Sequence, residues 1–119
     1  MNYIEHAAAV VESCIPVELR PTSRAVELYR LYALLMLTKQ DDVTLGDIHD
    51  AWSTWMTAVD SSHKSLRPFD SLSESVQRQD GPFLHAVRAA ARIWMTELAE
   101  DNLSDVPDGE PSAAGRSPV

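Results

Sequence analysis

A single cysteine, Cys14, leaves no partner for an intrachain disulfide, which fits a reducing compartment. Glycine is nearly as scarce: there are four, and two fall in the last 19 positions. So little turn chemistry disfavours a many-stranded sheet and favours helices joined by short loops. No apolar run approaches the roughly 18–20 residues that a membrane span needs. The opening Met1-Asn2-Tyr3-Ile4-Glu5-His6 lacks the basic start and apolar core of a signal peptide. A cytoplasmic chain that contacts no membrane is therefore expected. Gly-rich phosphate loops, metalloprotease helix motifs and nucleophile elbows are missing too. No catalytic residue, no metal and no cofactor is expected.

What is present is one domain's worth of chain, 119 residues with 45% hydrophobic and 24% charged residues. The formal net charge is −8, which disfavours wrapping a nucleic-acid backbone. The charge is uneven along the sequence. Residues 61–92 carry three acids (Asp70, Glu74, Asp80) against five bases (Lys64, Arg67, Arg78, Arg88, Arg92), with His63 and His85. That locally positive stretch is where a small anionic ligand would be sought, although a normally solvated surface with a chance fluctuation in sign is the simpler reading.

The periodicity predicts an all-α fold: a compact bundle of four main helices plus a short helical turn, with a disordered C-terminal tail. The domain is expected over 1–101 and the acidic, Pro- and Gly-containing tail over 102–119. Helix one is expected from Asn2 to about Cys14, with Ile4, Ala8, Val11 and Ile15 on one face and Pro16 closing it. Thr22 or Ser23 would cap helix two, which reaches Lys39. The run Leu31-Tyr32-Ala33-Leu34-Leu35-Met36-Leu37 is apolar around its circumference and is expected at the centre of the fold. Thr44, with Asp47 as the second half of a capping box, starts helix three. Leu66, Phe69 and Leu72 would anchor the polar 60–72 loop. A turn over 73–79 follows, then Asp80 as the N-cap of a last helix whose buried stripe is Phe83, Val87, Ala90, Ala91, Trp94 and Leu98.

The chemistry-bearing residues cluster in 48–87. Ile48-His49-Asp50-Ala51-Trp52 is followed by His63-Lys64-Ser65-Leu66-Arg67-Pro68-Phe69-Asp70-Ser71-Leu72, then Asp80. In the functional reading, His49, Trp52, His63, Arg67 and Phe69 line a pocket between helix three and the loop, with Arg78 at its rim. Aromatic rings can stack a base, and guanidinium groups can clamp a phosphate. In the structural reading, the same tryptophans are core, Phe69 plugs the loop down and Asp80 caps a helix. A metal site from His49, His63 and Asp50 lacks ligand spacing. Helix three as a DNA reader would present Asp47, His49 and Asp50, the wrong charge for phosphate.

This segment resembles the ryanodine-receptor repeat, the RyR domain. His49 and Trp52 match its His-x-x-Trp. His63, Leu66, Pro68, Phe69, Asp70 and Leu72 match its central motif, and Asp80 follows at the family spacing. Lys64 and Gly81 stand where that family usually has proline and arginine, and the helix is expected to break at Gly81-Pro82. The overall pattern also resembles short proteins of actinobacteria and their phages. The resemblance implies a helical interaction module without a catalytic residue, and for microbial versions a ligand or nucleotide-signal site. A noncatalytic module that contacts a protein partner or forms a homo-oligomer is thus the leading expectation. A sensor or sponge for a small anionic, nucleotide-like signal is the alternative.

Overall fold

The computed structural model describes residues 2–104, with side chains through Glu100. Its helices are α1 (Tyr3–Cys14), α2 (Ala25–Lys39), α3 (Leu45–Val59), the short α4 (Glu74–Arg78) and α5 (Gly81–Ser104), with single 3₁₀ turns at Val17–Leu19, Gln40–Asp42 and Phe69–Ser71. The expected four main helices and one short turn are all present. α5 continues three residues into the span expected as tail, and the rest of that span, 105–119, lies outside the described residues. No helix among the described residues is long and apolar enough to cross a membrane.

Local chemistry sets the helix starts. Asn2 and Glu5 form a reciprocal capping box at α1: the Asn2 side chain accepts the Glu5 N–H at 2.9 Å, and Glu5 accepts the Asn2 N–H at 3.2 Å. Thr44 and Asp47 do the same for α3, as their spacing predicts. Lys39 closes on the Asp47 carboxylate at 3.0 Å. α2 departs from expectation, because neither Thr22 nor Ser23 caps it. Its N-cap is Arg24, in the left-handed region at φ 54°, held by tertiary contacts. The Arg24 carbonyl accepts the Trp55 indole N–H at 2.9 Å, and its guanidinium donates to the Ala58 carbonyl and to Glu27.

The core joins Ala7, Val11 and Ile15 of α1 to Leu28, Tyr32 and Met36 of α2, Ile48 of α3, and Val87 and Ala90 of α5. α2 packs against α1, α3 and α5, so it is central as expected. It is not buried all round: Leu34 is 54% exposed, and Leu28, Tyr29, Tyr32, Ala33 and Met36 take the inner face instead. Arg88 ties α5 to the turn before α3, with Nε and Nη2 both donating to the buried Val43 carbonyl, at 3.1 and 2.8 Å. The stripe of α5 is likewise shorter than expected. Phe83, packed on Tyr32 at the cleft, and Trp94, packed on His6 of α1, are half-buried, and Leu98 beyond them is 44% exposed.

Candidate binding cleft

The 60–72 loop is held against α3 by its own polar groups. His49, buried on α3, places Nε2 2.6 Å from the Arg67 carbonyl oxygen. A carbonyl only accepts, so Nε2 carries the hydrogen. The His63 ring takes the Ser65 N–H on Nδ1 at 3.0 Å, the local backbone capping its position suggests. The Phe69 ring lies against Gly46 and 6.0 Å from the His49 ring. Gln77 of α4 donates to the Phe69 and Leu72 carbonyls, at 2.9 and 3.2 Å, and so fixes the Phe69–Ser71 turn.

These contacts bring four of the six expected site residues together. Trp52 stacks on His49 at 5.6 Å and meets His63 edge-on at 5.0 Å, while the Phe69 ring is tilted against His49 at 6.0 Å. Arg67 joins by its backbone alone, since its exposed guanidinium donates to the Ser71 carbonyl at 3.2 Å. Arg78 is exposed at the end of α4, and neither arginine nor Phe69 lines the cavity beside this cluster.

That cavity is a half-open cleft of about 290 Å³. His49, Trp52 and Trp55 of α3 form one wall, and Leu28 and Tyr32 of α2 form another. His63 and Ser65 come from the loop, Leu19 and Pro21 from the α1–α2 connection. Val76, Gln79, Asp80 and Phe83 close it from α4 and the start of α5. The cleft is thus wider than a groove between α3 and the loop. Tyr32, Trp55, Asp80 and Phe83 are lining residues outside the expected site. The periodicity reads the first two and Phe83 as plain core. Asp80 is the exception, since the RyR-like spacing already singles it out.

Asp80 is not the side-chain cap of α5 that its position suggests. Its carbonyl accepts the Leu84 N–H at 2.9 Å, while its carboxylate turns toward His49, with Oδ2 3.8 Å from Nδ1. That distance is beyond a hydrogen bond. Burial pushes the Asp80 carboxyl up from its ordinary range, and His49 offsets part of the rise. Burial also pushes the Tyr32 hydroxyl up, with the Asp80 charge adding to it, so the phenol stays protonated. The Tyr32 hydroxyl has no hydrogen-bond partner among the described residues.

Ser53, His49 and Asp80 superficially form a Ser-His-Asp arrangement, with Ser53 Oγ 3.3 Å from His49 Nε2. The protonation pattern is wrong for nucleophilic catalysis. A general base needs a free lone pair on the nitrogen facing the hydroxyl, and here that nitrogen donates to Arg67. Among the described residues no group of three or more His, Cys, Asp or Glu is placed to hold a metal ion, and Asp50 is exposed.

No curated protein and no solved structure matches the chain. A family model described as a domain of unknown function (DUF7701) matches residues 2–92, which takes in α1 through the first half of α5 and every residue of the cleft, and the chain belongs to that family.

Proposed function

We propose that this chain is a noncatalytic binding module that contacts a protein partner, taking one of the partner's side chains into the cleft between α2, α3, α4 and the 60–72 loop. The observation that carries this reading is the cleft itself: half-open, about 290 Å³, and walled by segments from the α1–α2 connection to α5. Its volume sits at the small end of ligand sites, about 300 Å³ and upward, and suits one inserted side chain better than a large cofactor. The engaged Nε2 of His49 supports the noncatalytic part, as does Cys14 on α1, outside the cleft. The resemblance to RyR interaction repeats points the same way.

An anionic nucleotide-like ligand has less support, because it requires guanidinium groups in the cleft. Arg67 and Arg88 spend theirs on the Ser71 and Val43 carbonyls. A second surface favours self-association. Beyond Trp94, which packs on His6 of α1, Met95 and Leu98 are 46% and 44% exposed on α5. Mass in solution over a dilution series tests that surface: a monomer at every concentration removes it.

The cleft reading is tested by selecting peptides on the wild-type protein and re-measuring them on Ser65→Trp, which fills the cleft without touching the core. Selected peptides that bind wild type and lose the filled variant support the reading. Peptides that bind both equally, or a selection that yields none, contradict it.

A further inference from the structure

From the polar groups that the cleft leaves unpaired, we propose that its occupant is a protonated amine, of which a lysine side chain of the partner is the protein-borne form. This rests on the cleft being a binding site and adds the chemistry of what enters. Two observations converge. The Asp80 carboxylate lines the cleft with its side chain only 15% exposed, and its nearest cationic candidate, His49 Nδ1, stands at 3.8 Å. Tyr32, a buried residue, lines the same cleft, and its hydroxyl has no hydrogen-bond partner among the described residues. The carboxylate only accepts and the phenol oxygen can accept as well as donate, while an ammonium carries three N–H donors and no acceptor. A buried acceptor without a donor is costly to the fold, which makes such a pair a signature of a site completed by its ligand.

The rest of the wall agrees. Trp52, Trp55 and Phe83 supply aromatic rings, whose faces attract cations, and Leu28 and Val76 supply apolar surface for an alkyl stem. No lysine or arginine lines the cleft to repel a cation, and His63 turns its Nδ1 lone pair to the Ser65 N–H. The net charge of −8 draws cations toward the molecule as a whole. An anion would meet the Asp80 carboxylate with no lysine or arginine in the cleft to compensate it.

The test compares Nα-acetyl-lysine amide with Nα-acetyl-norleucine amide, which keeps the stem and lacks the ammonium. Both are titrated at constant ionic strength into the full chain while the Trp52 indole N–H signal is followed by NMR. The expected result is saturable movement with the lysine probe and at least tenfold weaker binding of the norleucine probe. Asp80→Asn, shown folded by circular dichroism, is expected to weaken the lysine probe at least tenfold and leave the norleucine probe unchanged. Equal binding of the two probes, or undiminished lysine binding by Asp80→Asn, overturns the amine assignment while leaving the cleft a side-chain site. No movement with either probe also overturns it, and the peptide selection then judges the cleft by itself.

Discussion

The His49 ring on α3 and the Arg67 backbone in the following loop meet at 2.6 Å, imidazole N–H to carbonyl oxygen. This bond, reinforced by the Phe69 ring tilted against the imidazole at 6.0 Å, holds the loop against α3. His49→Phe preserves the ring volume and removes the donor. It is expected to cost about 1–2 kcal/mol, the penalty of an abandoned, partly buried carbonyl. Urea denaturation reads that loss, and unchanged stability would mean that the bond does not hold the loop.

Two carboxylates should pull the pH profile in opposite directions. Asp80 is raised by burial, with His49 offsetting part of it. The unfolded chain therefore gives up that proton first, and the contribution of Asp80 is full at low pH. It falls as pH rises through the ordinary carboxylate range to the folded value. At Asp47 burial pushes upward, but the Thr44 N–H and Lys39 outweigh it and hold the carboxyl low. Its contribution is present above the ordinary range and is lost as pH falls through the lowered value. Asp80→Asn should thus be at least as stable as wild type at pH 7, with the gain vanishing near pH 3. Asp47→Ala should lose about 1 kcal/mol at neutral pH and less in acid. Thermal melts across that range check both, and parallel profiles for the two variants would contradict the assignment.

Gln40 ends α2 at φ 55°, ψ −129°, a conformation that side chains resist. It is exposed. Gln40→Gly is expected to raise stability by about 1 kcal/mol, the relief of a strained backbone exceeding the entropy that glycine adds to the unfolded chain. A lower melting temperature would show the strain to be illusory.

The indole of Trp55 donates to the carbonyl of Arg24, 31 positions earlier in the chain, and so holds the left-handed start of α2. Trp55→Phe should cost about 2 kcal/mol, from the lost bond and the reduced buried area together. It should also speed amide exchange in the first turn of α2 more than in α1. Uniform exchange along both helices would contradict a local role.

The helices were legible because their apolar periods and breakers agree: Pro16 closes α1, and Thr44 with Asp47 opens α3. α2 was harder to read for a physical reason. A run apolar on every side carries no phase, so nothing in it distinguishes Leu34, which faces out, from Ala33 and Tyr32, which face in. Arg24 displaced Thr22 and Ser23 as the cap through a bond from Trp55, which local preference cannot anticipate. At the site, His49, Trp52 and His63 were legible from their spacing on a helix and the loop after it, whereas Phe69 packs on His49 and Gly46 outside the cleft lining. Arg67 was misread because long side chains choose partners locally, here the Ser71 carbonyl. Asp80 reads as a cap from its position alone, and only the packing of α5 against α3 brings its carboxylate toward His49.

The most direct test of the cleft as the recognition site is the pair of indole N–H signals from Trp52, in its wall, and Trp94, on α5 beside His6. Adding a peptide selected on the wild-type protein should move the Trp52 signal to saturation and leave Trp94 in place. Movement of Trp94 with Trp52 unchanged would contradict the cleft and transfer recognition to the exposed end of α5.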